Sequence, residues 1–356
     1  MPSSNNSITE SENLYSNLKL EFHSASDGSI RDKTNQSWMV WNVNDFQRWW
    51  NSLETLADVP LGRKLMNCSA DQEEFLLVER SLFDVGWLMR KKRQKDILNQ
   101  RWKLLGWGEF DISNSRISSS LLAPLCGGFA LAANEKITSL RKRIQWRQLS
   151  NHHIQLEFEQ SPNTLDTSPP PPHFFWNIDA ITPTLEGDLE LDLEQLDFGW
   201  THAGERSCLL PSGLFTRLFE SLSFQGILPK PEWSDKWTFP DNISSSHCVS
   251  FILIALSVDQ MVSLSERPVY IQDVHSWQLL SDAYLQPFGF GKLNLCSSLD
   301  KNGGVEFEIP PSPHFPFLVG FLVAYWQRGY GRMAKVSLSK LGHVWKVQIR
   351  SLLSYA

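Results

Sequence analysis

The chain has few of the marks of a catalyst or a metalloprotein. Its five cysteines (Cys68, Cys126, Cys208, Cys248 and Cys296) are odd in number and widely separated, with no CxxC. That excludes a disulfide framework and a zinc site of ordinary spacing, and it points to a reducing cytosol. There is no GxSxG, SxxK or Walker sequence; Gly127-Gly128 and Gly303-Gly304 lack the GK[ST] that a phosphate loop needs. Among the nine histidines only His152 and His153 are adjacent. Neighbours on a strand point to opposite faces, so these two do not share an ion. Positive charge is also scarce: a net charge of −6 argues against a general nucleic-acid binder. The apolar stretches at 251–258 and 315–326 fall short of the ~20 residues needed to span a bilayer. The polar start Met1-Pro2-Ser3-Ser4 carries no export signal. These absences lead to the expectation of a soluble cytoplasmic protein without catalytic residues, metal, cofactor or membrane span.

At 356 residues the chain is long enough for two ordinary domains. Its fifteen tryptophans, spread from Trp38 to Trp345, supply large rings for cores or interfaces. Residues 1–36 are rich in Ser, Asn and charge and read as a disordered tail. Residues 37–159 form a first unit, 160–186 a Pro-rich linker containing Pro169–Pro172, and 187–356 a second unit. In the first unit, helical spacing places Phe46, Trp49, Trp50 and Leu53 on one face of a helix that Asp45 caps. Asp71 caps a second helix, whose Gly86 permits close packing, and a third runs over about 94–105. After the linker, the acid–leucine alternation of Asp188–Glu194 predicts a half-buried strand with a carboxylate face.

One pattern occurs twice. Gly106-Trp107-Gly108 opens the alternating run Glu109–Ile112, and Gly289-Phe290-Gly291 opens Lys292–Leu295. An apolar helix with Gly128 follows the first, and one with Gly320 follows the second. Two strand-like runs close each copy, with the same 16-residue spacing from Gly128 to Ile144 and from Gly320 to Val336. The expected fold is therefore α+β: two repeated α/β units, each a small antiparallel sheet packed by helices, arranged as an intrachain pseudo-dimer.

This order of helix, glycine–aromatic–glycine strand, hairpin, glycine-bearing helix and two strands resembles the 4-vinyl-reductase domain. That domain shares its α/β fold with the vesicle-tethering TRAPP subunits, and the cellulose synthase operon protein D is similar in outline. The resemblance covers about 61–159 and 209–351. It implies a ligand-binding or assembly module. In such domains the last two strands often carry cysteines suited to a metal or cofactor. Here the matching strands offer Gln145, Trp146, Ile154 and Leu156, or Ser337, Leu338, Trp345 and Val347. The loss of those cysteines points to a scaffold.

The candidate ligand- or partner-binding residues are Trp107, Cys126, Phe290 and Trp326. Two basic clusters, Arg90-Lys91-Lys92-Arg93 at the end of one helix and Arg141-Lys142-Arg143 after another, are candidate anion sites. The leading expectation is a non-catalytic accessory or assembly subunit that uses aromatic surfaces to bind a protein partner or itself. The alternatives are a sensor for a small apolar molecule or lipid, and a nucleic-acid-associated module using the basic clusters.

Overall fold

The computed structural model describes residues 4–164, 167–265 and 268–353. Before the Pro-rich segment the chain forms α1 (Ser4–Glu21), β1 (Phe22–Ala25), β2 (Ile30–Asp32), β3 (Ser37–Asn42), α2 (Val43–Ala57) and α3 (Gly62–Glu79). These are followed by α4 (Arg90–Leu104), β4 (Glu109–Asp111), β5 (Arg116–Ser118), α5 (Ala123–Thr138), β6 (Lys142–Ser150) and β7 (His153–Gln160). After it come β8 (Leu185–Asp188), β9 (Leu193–Gln195), β10 (Trp200–His202), β11 (Glu205–Pro211), α6 (Ser212–Ser223), α7 (Pro231–Lys236) and β12 (Trp237–Thr238). The chain ends with α8 (Ser245–Ser263), α9 (His275–Tyr284), β13 (Leu295–Ser298), β14 (Val305–Ile309), α10 (Phe315–Tyr330), β15 (Ala334–Leu341) and β16 (Val344–Ser351).

The fold is mixed α+β with antiparallel sheets, apart from the short parallel pairing of β12 with β15. A central sheet runs β8-β1-β2-β3-β11-β10-β9, joined at its middle where Val40 faces Leu209. It therefore takes strands from both sides of the Pro-rich segment. Two smaller sheets have matching orders, β4-β5-β7-β6 and β13-β14-β16-β15, and β12 is added outside β15. α3 packs on α5 and α8 on α10, while α2 crosses to α8 and α6 to α3. One buried apolar cluster runs through both halves.

Local signals explain most elements. The Asn42 side chain accepts the N–H groups of Asn44 and Asp45, satisfying two orphan donors at the start of α2. Asn42, not Asp45, is thus the cap, and Phe46, Trp49, Trp50 and Leu53 are buried as the spacing predicts. Both glycine turns need left-handed backbone: Gly106 and Gly108 have φ of +73° and +100°, Gly289 and Gly291 +77° and +107°. Each turn leans on a central strand of the other half. A Cβ on Gly106 would lie 2.7 Å from the Ser207 carbonyl on β11, and one on Gly289 would lie 2.6 Å from the Trp38 carbonyl on β3.

Several expectations are corrected. Residues 22–36 belong to the central sheet instead of a disordered tail, and α1 precedes them, because Leu18, Phe22 and Ile30 reach the core. β1 pairs on one side with its neighbour β2 and on the other with β8, more than 150 residues on in sequence, where His23 pairs with Asp188. Asp71 lies within α3, which starts at Gly62, and Gly86 lies outside any helix. The acid–leucine run is split: β8 ends at Asp188 and β9 begins at Leu193, with Leu189 and Leu191 buried between them. The Pro-rich segment is anchored, since Phe174 and Trp176 are buried and the Trp176 carbonyl accepts the Trp345 Nε1–H at 3.0 Å. α8 is long and apolar enough to cross a membrane, but it is packed by α2, α6 and α10 as a core helix.

Candidate ligand cleft

Counting back from the glycine turns aligns the helices that lead into them. The Trp107 N–H reaches the Trp102 carbonyl at 2.9 Å, and the Phe290 N–H reaches the Leu285 carbonyl at 3.0 Å, the same five-residue step. On this register Arg101 of α4 corresponds to Tyr284 of α9. Gly128 of α5 lies against the Met66 carbonyl of α3, and Gly320 of α10 against the Ala255 carbonyl of α8. That second register sets Glu73 against Val262. These registers set the pair Arg101–Glu73 beside the pair Tyr284–Val262 for comparison.

In the first half, Arg101 donates to Glu73 through Nε and Nη2, each at 2.7 Å. Their side chains are 6% and 0% exposed, so they fill the space between α3 and α4. The guanidinium also lies 5.4 Å from the Trp107 ring and 5.9 Å from Trp38. Two planar hydrogen bonds and two ring faces satisfy the buried charge. Arg101 also lines a groove of about 540 Å3 between α1 and α4, whose walls combine Leu14, Leu82, Ile97 and Leu104 with the charged Glu21, Lys33, Arg80 and Lys103.

In the second half, Val262 and Tyr284 cannot form such a pair, and two adjoining cavities of about 410 and 300 Å3 open beside them. Met261, Tyr284, Phe321 and Tyr325 line both. The larger continues along β3 past Trp41 and Phe290 to a polar lip of Asn42, Asp45, His202 and Glu205. Asn42 donates to Glu205 at 3.0 Å, and Asp45 pairs with Arg48 at 3.1 Å. His202 Nδ1 lies 3.1 Å from the Asp192 N and 3.4 Å from its carbonyl oxygen, and burial lowers the imidazole pKa. Apolar walls with a few polar groups at one end are the ordinary make-up of a small-molecule site.

The sequence candidates fall in different places. Phe290 lines the larger cavity and packs edge-on against Phe321 at 4.9 Å. Trp107 is fully buried, stacked on Phe129 at 3.7 Å and donating to the Leu209 carbonyl at 2.8 Å. Trp326 is also buried and donates to the Gly303 carbonyl at 2.7 Å. Cys126 is buried with its thiol pushed up to about 12 by burial, which keeps it protonated and unreactive. Trp107, Trp326 and Cys126 form no aromatic or reactive surface, and of the four only Phe290 faces the cavity. Among the described residues, no group of three or more His, Cys, Asp or Glu could hold a metal ion.

The basic clusters also differ from expectation. Arg90–Arg93 open α4 instead of ending a helix, so they do not complement its dipole. Arg141 is spent internally on Glu135 at 2.8 Å and Glu74 at 3.5 Å. Lys142 lies over the Phe158 ring at 5.6 Å, and only Arg143 of that trio is exposed. Tyr284, Tyr325, Met261 and His202 were missed as cleft residues. Extending the repeat register back through the helices would have exposed the Arg101–Tyr284 contrast. No protein-family model, curated protein or solved structure matches the chain.

Proposed function

We propose that this protein binds a small, largely apolar molecule in the cleft of its second half and that its role is binding, not turnover. The observation that carries the reading is the exchange of Glu73 and Arg101 for Val262 and Tyr284 beside the two cavities. Aromatic walls favour a flat or branched apolar body, while Asn42, Asp45, His202 and Glu205 favour a hydrogen-bond donor at its polar end. On this reading the chain is a fused pair of one α/β unit of 4-vinyl-reductase type, one copy closed and one open. Matching orders in the small sheets and the crossed packing of α2 and α6 support the pairing.

Native mass spectrometry of the purified full chain, with thermal-shift screening of apolar aromatic compounds, tests the proposal. The wild type should retain a ligand or show a saturable stabilisation that Tyr325→Ala weakens. Val262→Glu with Tyr284→Arg, which installs the first half's pair, should abolish it. Absence of both retained mass and stabilisation in the wild type would overturn the reading.

A second reading, self-association or assembly with a partner, draws on a different feature. β6 is a nine-residue edge strand with Leu149 45% exposed, whereas β12 pairs with Val336 and Ser337 on the corresponding edge of β15. An open edge of this length is a template for strand addition.

A further inference from the structure

Trp87 stands apart from the other tryptophans. Thirteen of the fifteen are buried and Trp146 is half-buried beneath Arg63, but Trp87 is 89% exposed. Leu88 and Met89 follow at 58% and 59%. Among the described residues no other three consecutive large apolar side chains are exposed. Met89 has φ +54° and caps α4 without a side-chain hydrogen bond. The Trp87 carbonyl accepts the Arg90 N–H at 3.4 Å, and the Met89 carbonyl accepts the Arg93 N–H at 3.1 Å. These bonds join the apolar triad to the basic residues in one turn.

The four side chains of Arg90, Lys91, Lys92 and Arg93 are exposed and, among the described residues, have no ion-pair partner. They stand at the positive end of the α4 dipole, so the helix gives them no stabilisation. Lys95, by contrast, is held by Asp111 at 3.5 Å. Residues 84–96 carry five cations (Arg90, Lys91, Lys92, Arg93, Lys95) against Asp84 and Asp96, a net of +3 on a chain whose net charge is −6.

We propose that the Trp87–Arg93 turn docks on an anionic membrane surface. Trp87, Leu88 and Met89 enter the boundary between headgroups and acyl chains, and the four cations meet lipid phosphates and carboxylates. Indole is favoured at that boundary, and the exposed aliphatic pair finds a partner in hydrocarbon. A nucleic acid would stack on Trp87 but would leave Leu88 and Met89 without one. The protein would sit on the surface without spanning it.

Sedimentation of the full chain with vesicles of phosphatidylcholine alone, or mixed with phosphatidylserine, tests this. Binding should require phosphatidylserine and weaken with salt. Lys91→Glu/Lys92→Glu should lower partitioning by about twentyfold or more, since each surface cation is worth roughly fivefold. Leu88→Ser/Met89→Ser should also weaken it while leaving thermal unfolding unchanged. Brominated lipids should quench a component of the wild-type fluorescence that Trp87→Phe lacks. Equal sedimentation with both vesicle types, or indifference to either double variant, would overturn the proposal. So would binding of a single-stranded oligonucleotide with no vesicle binding.

Discussion

The first half fills the space between α3 and α4 with a buried ion pair, whereas the second half leaves two largely apolar cavities beside α8 and α10. Arg101 and Glu73 lock α4 to α3 with two 2.7 Å hydrogen bonds. Tyr284 and Val262 stand at the corresponding places beside a cavity of about 300 Å3. The aromatic scaffold above is shared: Trp107 stacks on Phe129 as Phe290 packs on Phe321. At these positions the two interiors differ in side-chain chemistry: a buried ion pair in one, Val262 and Tyr284 in the other.

Removing one member of the ion pair is the strongest way to break this comparison. Arg101→Met leaves the Glu73 carboxylate buried and unpaired, and denaturant unfolding should show a loss of about 3–5 kcal/mol. Replacing both partners by the second half's residues, Glu73→Val/Arg101→Tyr, should restore most of that stability, because no lone charge remains. If the double variant were as unstable as the single one, the halves would not be interchangeable at this position.

Much of the scaffold was legible because its signals are local. Phe46, Trp49, Trp50 and Leu53 mark α2 by spacing, and the glycines mark both turns and both close helix pairs. The pairing of β1 with β8 was not legible, since the two strands are short and lie more than 150 residues apart in sequence. Arg101 and Glu73 carry no local signal in the sequence, and only the fold brings them together across 28 residues. The cleft was the least visible feature. A cavity is where side chains fail to meet, and no single residue advertises that.

A second contrast lies just before the last helix of each half. His314, three residues from Phe317, stands where Leu122 precedes α5. Its imidazole is fully buried, neither ring nitrogen has a partner among the described residues, and its pKa is lowered to about 4. Burial is the main cause; the Asp27 carboxylate opposes the shift and Arg31 adds to it. Because the folded pKa lies below the unfolded value, the unfolded chain takes up the proton first as pH falls. Stability should therefore be full above about pH 6.5 and decline by about 3 kcal/mol toward pH 4. Asp27 is itself held below the usual carboxylate range and adds a further decline only at lower pH. His314→Leu, which installs the first half's residue, should flatten the slope between pH 6.5 and 4 in urea-unfolding series. A slope unchanged by that variant would assign the acid sensitivity elsewhere.

The smallest expected effect compares the two helix-packing glycines. Alanine in a helix interior gains roughly 1 kcal/mol over glycine, so the sign of each substitution depends on what the added methyl meets. At Gly128 it would overlap the Met66 carbonyl and Ser69 Oγ and lie 2.9 Å from the Ala70 N, so it meets mostly backbone that cannot rotate away. At Gly320 the nearest atoms are the Ala255 carbonyl and Val258 Cβ, each at 2.8 Å, and Ala255 Cα at 3.0 Å, equally rigid atoms but a shallower overlap than at Gly128. Gly128→Ala should cost about 2 kcal/mol net and Gly320→Ala less than about 1 kcal/mol. The second half has cavities beside α8 and α10 that leave room for the two helices to separate, while the first half is pinned by its ion pair. Adding Glu73→Val/Arg101→Tyr to Gly128→Ala should therefore reduce the cost of the methyl, and a strictly additive result would uncouple helix spacing from the pair.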